Sequence, residues 1–158
     1  YSFMWVIMNL INMTVFFCLG CNAIASSADY NAGDKIQFPE VITNYASDDI
    51  TPAFDESTGV FTCPHDGYYL FIITLYKSNS SSYRTSIQGR LMKSGSTYVS
   101  EIYNNDSEDT SGARNWSSAM HAVTECYQGE EVWVEAFTSF SLYGLQRKNQ
   151  FTGLLLQS

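Results

Sequence analysis

The sequence has little charge and few basic residues. Of its 158 residues, 15% are charged and 45% are hydrophobic, and 16 acidic side chains outnumber eight lysines and arginines, for a net charge of −8. Such a chain would be repelled by nucleic acid and by anionic membranes, which excludes both as its partners. The hydrophobic fraction argues against intrinsic disorder, and the length fits one domain that can bury its own core.

Apolar periodicity of helix length is missing after the first 25 residues, and no internal repeat is present. Short runs of alternating apolar and polar residues take its place, and the 11 Tyr, 10 Phe and 3 Trp are typical of strands. We therefore predict an all-β protein, a two-sheet sandwich or jelly roll. The predicted strands are residues 35–42, 53–63, 68–76, 83–93, 97–103, 113–127, 131–138 and 150–157.

Residues 61–71 place a turn containing Pro64 and Gly67 between two strand-like runs. Proline donates no amide to a sheet, and glycine accepts the backbone angles of a tight reversal, so the pattern predicts a hairpin. The second strand of this hairpin is apolar on both faces, and such a strand is usually covered on both sides. One face carries Tyr69, Phe71 and Ile73, and the other carries Tyr68, Leu70 and Ile72.

Motifs of catalysis and of zinc binding are also missing. His65 lies in the turn and His121 in a predicted strand, and neither is near a nucleophile motif, so we predict that the protein is not an enzyme. Cys18 and Cys21 form a single C-x-x-C inside an apolar run, without the second pair that a structural zinc site requires.

Several separated motifs run from Phe38 to the end of the chain. They are Phe38 with residues 41–44, the segment from Phe54 to Phe71, and residues 128–134, 142–144 and 151–156. Together they resemble the C1q-like domain, the globular head of complement C1q and of many secreted relatives. The chain departs from the family pattern at Ile73, where the signature has an aromatic residue. It also has nine residues between Asn44 and Phe54, more than the family usually places there. The motif residues, structural in the family, are Phe38, Asn44, Phe54, Gly59, Phe61, Gly67, Tyr69, Phe71, Gly129, Phe151 and Gly153.

The resemblance implies a secreted homotrimer of the C1q and tumour-necrosis-factor jelly-roll type. It implies a recognition module, lectin-like, that binds glycans or microbial and cell-surface patterns in innate immunity, without a cofactor. The alternatives are a cerebellin-like or tumour-necrosis-factor-like protein ligand, and a structural matrix trimer. No Gly-X-Y run occurs in the sequence, so the collagen stalk of complement C1q is not part of this chain.

Several surface features remain open at this stage. The strand face with Trp133, Glu135 and Phe137 mixes a charge with aromatic residues, which predicts a sheet edge or a subunit contact. Aromatic residues in or near predicted loops have side chains suited to stacking on sugars, although no binding site is assigned to them. They are Tyr45, Tyr103, Trp116 and Tyr143.

Calcium binding is not favoured. Some relatives hold calcium with acidic residues in the loop after Gly144, but here residues 145–149 contain two cations instead. The acidic cluster of Asp106, Glu108 and Asp109 is predicted to be a solvated loop rather than a cation site.

The remaining cysteines, Cys63 and Cys126, are either buried free thiols or a disulfide. The family commonly has a cysteine at the position of Cys63, and a sandwich tends to separate the two strand ends, so we favour free thiols. Four cysteines in the whole chain permit three pairings.

The first 25 residues are predicted to be a signal peptide, followed by a C1q-like domain at residues 26–158. Residues 1–21 carry no charge, and Ala23 and Ala25 have the spacing of a signal-peptidase site. The alternative is that residues 14–21 form the first strand of the domain, since the family opens with a short strand at this distance before Phe38. A membrane span is disfavoured because the stretch barely reaches the ~20 residues required.

Four N-x-S/T sequons agree with an extracellular protein. Asn79 and Asn105 are the better glycosylation candidates because they lie in polar runs, whereas Asn12 and Asn115 do not stand out.

Overall fold

The computed structural model describes residues 20–25, 28–45, 52–77, 87–95, 98–104, 117–142 and 148–158. Within these ranges every helix or strand is a β-strand, which confirms the all-β prediction. The strands are β1 (Gly20–Ile24), β2 (Ala28–Tyr30), β3 (Glu40–Tyr45), β4 (Phe54–Asp55), β5 (Val60–Thr62), β6 (Gly67–Tyr76), β7 (Ile87–Lys93), β8 (Ser100–Asn104), β9 (Ser117–Cys126), β10 (Glu131–Ala136), β11 (Phe140–Leu142) and β12 (Gln150–Gln157).

Ten of these strands form two antiparallel sheets of five strands each. The first sheet has the order β3-β1-β12-β6-β9, and the second has the order β4-β5-β10-β7-β8. The short strands β2 and β11 pair with each other outside these sheets. Residues far apart in sequence therefore become neighbours, as β1 near the start of the described chain pairs with β12 at its end.

Aromatic side chains from both sheets fill the space between them. The ring centroids of Phe54 and Phe151 are 5.1 Å apart, and those of Phe61 and Phe71 are 5.5 Å apart in an edge-to-face arrangement. Such tilted contacts suit aromatic quadrupoles and add to the burial of the rings. All six aromatic motif residues are buried here: Phe38, Phe54, Phe61, Tyr69, Phe71 and Phe151.

The predicted strand boundaries agree best with the structure where buried and outward-facing residues alternate over the longest stretch. Strand β12 occupies the predicted residues 150–157, and β6 begins one residue before the predicted 68–76. The predicted strand at 53–63 is wrong, because a turn at Gly59 divides it into β4 and β5. Gly59 has a φ of 72°, and a Cβ there would collide with the carbonyl oxygen of Ile36, so only glycine fits without strain.

The predicted hairpin around Pro64 and Gly67 is also wrong. Strand β5 pairs with β4 and β10 in the second sheet, whereas β6 pairs with β12 and β9 in the first. The turn residues therefore carry the chain from one sheet to the other. Alternation and turn chemistry specify a reversal, but they do not specify whether the two strands join the same sheet.

Cys63 and Cys126 form a disulfide, which corrects the expectation of free thiols. Their Cα atoms are 6.4 Å apart, and both residues are buried. The expected separation of the strand ends does not occur, because Cys63 follows β5 through the same link that brings Gly67 opposite Cys126 in the first sheet. The disulfide thus connects the two sheets at one end of the sandwich.

Strand β1 lies between β3 and β12, and Ala23 and Ala25 are buried. Cleavage after Ala25 would remove this strand from the interior of the first sheet. The strand overlaps the alternative at residues 14–21 only at Gly20 and Cys21, and residues 14–19 lie outside the described residues. The leader at residues 1–25 stays a prediction, which N-terminal sequencing of the mature protein tests.

Candidate functional site: an exposed apolar sheet face

Strand β6 buries only one of its two apolar faces. Tyr69 and Phe71 point into the sandwich and are fully buried. On the outward side, Tyr68 is 49% exposed and Ile72 is 40% exposed. The sequence predicts cover on both sides of this strand, and within the described part of the chain the outward side has none.

Neighbouring strands extend this surface across the first sheet. Leu70 lies directly between Val123 on β9 and Leu154 on β12 in the strand register, and Val123 is 58% exposed. Side chains opposite one another in a sheet are in contact range, so these residues form a continuous patch. With Tyr68, Ile72 and Leu156 on the same three strands, and with Ile42 exposed on β3 on the other side of β1, these residues make up what we call the apolar face.

Polar groups lie beside the apolar face on the last strand of the sheet. His121 is opposite Ile72, and Glu125 is opposite Tyr68, and both side chains are exposed. An apolar centre with polar groups at one side is the usual composition of a protein contact. The arrangement contains what subunit association needs, namely a flat apolar surface on a rigid sheet.

The side chain of Asn44 fixes one edge of this sheet to β4. Its Nδ2 donates to the carbonyl oxygen of Phe54 at 2.7 Å, and the Phe54 N–H donates to its Oδ1 at 3.0 Å. These two bonds close the long connection that departs from the family pattern.

Two buried titratable groups also belong to this sheet. Burial raises the pKa of the Cys21 thiol to about 12, against a weaker opposing effect from a hydrogen bond with the Gly153 backbone. Burial likewise raises the pKa of Tyr69, whose hydroxyl donates to the carbonyl oxygen of His65 at 2.9 Å. Both groups stay protonated in the folded chain at neutral pH, so neither is suited to nucleophilic or acid-base chemistry.

The histidines named from sequence lie apart from each other. His65 follows β5, where its backbone N–H and carbonyl both bond to the Tyr69 hydroxyl. His121 lies on β9 beside the apolar face. Among the described residues, no group of three or more His, Cys, Asp or Glu side chains could hold a metal ion. No helix in the described ranges has the length and apolar character to cross a membrane.

Several other sequence candidates fall outside the described residues. They include all four sequons, Asn12, Asn79, Asn105 and Asn115, the acidic cluster of Asp106, Glu108 and Asp109, and the aromatic residues Trp116 and Tyr143. Tyr45 is the last residue of β3, and Tyr103 is exposed on β8 in the second sheet.

The predicted contact face of β10 lies on the outward side of the second sheet. Val132, Val134 and Ala136 are buried as the alternation predicts, which leaves Trp133 and Glu135 half-buried on the other side. The sequence predicts a sheet edge or a subunit contact there. The sheet edge is wrong, because β10 is the middle strand of the second sheet, and the subunit contact stays a prediction. The exposed apolar face of the first sheet is not among the predicted contacts. The signal for that face was present in β6, where both sides of the strand are apolar.

The described strands form a two-sheet antiparallel sandwich of the jelly-roll class, with an exposed apolar surface on the first sheet. The sequence model described as "C1q domain" matches residues 17–156, and the chain belongs to the C1q domain family. This confirms the family resemblance and the jelly-roll prediction. C1q and tumour-necrosis-factor family domains are ligand-binding folds that typically form trimers.

Two curated relatives show the same similarity over part of their length. The chain is 34% identical to Caprin-2 of Danio rerio over 104 residues, which is 65% of this chain and 10% of that protein. It is 32% identical to complement C1q tumor necrosis factor-related protein 3 of Mus musculus over 127 residues, 80% of this chain and 46% of that protein. The chain thus spans less than half the length of either relative.

Solved structures share the fold at low sequence identity. The globular domain of zebrafish complement 1qA protein superposes with a TM-score of 0.61 at 17% identity, covering 87% of this chain and 96% of that chain. The Eiger TNF from S. frugiperda superposes with a TM-score of 0.68 at 14% identity, covering 87% and 92%.

Proposed function

We propose that the protein is a secreted, homotrimeric recognition module that binds glycans or other repeated patterns on microbial and cell surfaces, as part of innate defence. It acts by binding and not by catalysis. The observation that supports this proposal most directly is the apolar face, which the described chain leaves uncovered.

Self-association would remove the apolar face from water. Five of its large side chains are exposed, and covering the exposed part of each contributes roughly 1 kcal/mol, or about 5 kcal/mol per subunit. Association must also offset lost translational and rotational freedom, so several such faces have to close together. A closed ring of three identical subunits does this and matches the assembly typical of the family.

The disulfide supports an extracellular location. Disulfides persist in secreted proteins and are rare in reducing compartments. Cys63 and Cys126 join the two sheets through such a bond. The four sequons also agree with secretion.

A trimer carries three identical binding sites at fixed distances, which favours ligands that repeat along a surface. A weak contact with a single sugar gains avidity of about 10² to 10⁴ when several copies engage one surface, without any new contact. A polysaccharide repeats its sugar units, so several sites of the trimer can bind it at once, whereas a single soluble sugar occupies one site. The proposal therefore predicts strong binding to polymers and weak binding to monosaccharides.

The test is a binding screen with purified secreted protein against a glycan array and intact microbial cells. The proposal expects binding to polysaccharide surfaces that competes with soluble polymer. A protein-receptor ligand, the main alternative, would bind one protein partner and ignore saccharides. A matrix trimer would bind neither, and either of these two results would contradict the proposal.

A further inference from the structure

An arginine on the outward side of the second sheet lies between two aromatic rings. The guanidinium carbon of Arg90 is 3.4 Å from the ring centroid of Phe137 and 4.9 Å from that of Tyr98. Its Nε also lies 3.2 Å from Oε2 of Glu101. Arg90 is thus held in one orientation by three neighbours on two adjoining strands and a loop.

The strand register places two exposed rings on either side of a glutamine. Gln88 is opposite Tyr103 on β8, and the Phe137 N–H donates to the Gln88 carbonyl from the side of β10. Tyr103 is 55% exposed and Phe137 is 44% exposed. Since neighbouring strands lie about 4.8 Å apart, the two aromatic residues are separated by roughly 10 Å across the sheet. We call Gln88, Arg90, Tyr98, Glu101, Tyr103 and Phe137 the arginine-aromatic patch.

The charges on and beside the patch cancel. Glu135 and Glu101 flank Arg90 in one cross-strand row. Lys35 lies next to this row, with its Nζ 4.4 Å above the Trp133 ring and its backbone bridged to Glu135. Two cations therefore face two carboxylates, which makes the surface neutral on a chain whose net charge is −8. A neutral ligand can approach it without electrostatic cost.

We propose that the arginine-aromatic patch binds a neutral oligosaccharide segment that lies across strands β10, β7 and β8. One sugar unit stacks on Tyr103 and a second on the face of the Phe137 ring opposite the Arg90 guanidinium, while Gln88, Arg90 and Glu101 exchange hydrogen bonds with hydroxyl groups between them. Aromatic rings supply the contact area, and a few polar groups fix the orientation of the sugar units. This inference assigns a site to the proposed glycan recognition and rests on that proposal.

Two features favour a saccharide over a protein partner at this patch. Protein contacts are enriched in arginine and aromatic residues but depleted of acidic residues, and here Glu101 lies at the centre of the patch, paired with Arg90. The guanidinium is also already oriented, so a hydroxyl-rich ligand does not have to order it on binding. The patch and the apolar face lie on opposite sides of the sandwich, so a trimer closed through the apolar face leaves three patches open.

The experiment measures binding of the purified full chain to laminarin and galactomannan, two neutral polysaccharides, and to dextran sulfate as an acidic comparison. The variants are Phe137→Ala, Tyr103→Ala and their combination. Tyr127→Ala is the matched control, since it removes a similarly exposed aromatic ring that follows β9 of the first sheet, whereas the patch lies on the second sheet. The double variant is expected to lose at least about tenfold in affinity for the neutral polymer that binds, with unchanged molecular mass and melting temperature.

The outcomes separate this inference from the proposed function. Wild-type binding that the double variant retains, or that Tyr127→Ala reduces equally, overturns the patch and leaves glycan recognition standing. Preference for dextran sulfate over both neutral polymers also overturns the patch. A wild-type protein that binds no saccharide in this set or on the glycan array overturns both the patch and the proposed glycan recognition. Arg90→Lys keeps the charge but loses the planar fork, and it should weaken neutral-polymer binding without lowering stability by more than about 1 kcal/mol.

Discussion

Removing the Cys63–Cys126 disulfide should cost a large part of the stability of the domain. The bond joins the two sheets and closes a sequence separation of 63 residues. In the chain-entropy treatment, a cross-link over such a loop restricts the unfolded chain by about 4 kcal/mol at room temperature. Because a domain is stable by only about 5–15 kcal/mol in total, the loss would be obvious in a denaturation curve.

The assay is urea unfolding of wild type and of Cys63→Ala/Cys126→Ala at one fixed protein concentration, since association adds to apparent stability. Cys21→Ala is the control, because it removes a buried cysteine that is not in the disulfide. We expect the double variant to lose about 4 kcal/mol and the control roughly 1 kcal/mol. Non-reducing peptide mapping should recover the two cysteines as a linked pair. A double variant as stable as the control, or a map with both thiols free, would refute the account of the cross-link.

Two further predictions concern the first sheet. Asn44→Ala removes both side-chain hydrogen bonds to the Phe54 backbone. The free energy of unfolding in urea should fall by about 1–3 kcal/mol. An unchanged unfolding midpoint would contradict the role of Asn44 in joining β3 to β4. Cys21 ionises in the unfolded chain near pH 9 but only near 12 when folded. Below pH 9 the thiol is protonated in both states, and its full contribution to the stability of the fold is present. As the pH rises from 9 to about 12, the free energy of unfolding should fall by about 1.4 kcal/mol per pH unit. Cys21→Ala should make the decline shallower, and identical pH profiles would contradict this assignment.

Long, regular alternation made strands β6 and β12 predictable. Their facing residues repeat every second position, so the buried face of each follows from the sequence. Strands β2 and β11 have three residues each, too few for a period to show, and they were missed. Strand β1 lies within the predicted leader, because its apolar residues fit both interpretations. Its pairing with β12 is visible only in the structure, and cleavage after Ala25 stays a prediction.

The candidate surfaces were predictable to different degrees. The apolar face is visible in the sequence of β6, but alternation does not tell whether a second layer of the same chain or another subunit covers it. The arginine-aromatic patch could not be predicted, because Arg90, Glu101 and Phe137 meet only through the pairing of three strands. The prediction of free thiols at Cys63 and Cys126 was wrong for the same reason, because the two cysteines meet only through the link that carries the chain from one sheet to the other.

The central claim is that the apolar face holds three subunits together. Sedimentation equilibrium of wild type beside Val123→Asp tests it most directly, since Val123 is exposed in the single chain and its replacement should not harm the monomer fold. Tyr103→Asp, which places the same charge at an exposed position on β8 in the second sheet, serves as the control. We expect wild type and Tyr103→Asp at three times the chain mass, and Val123→Asp at one chain mass with an unchanged circular dichroism spectrum. A monomeric wild type, or a Val123→Asp protein that remains trimeric, would contradict it.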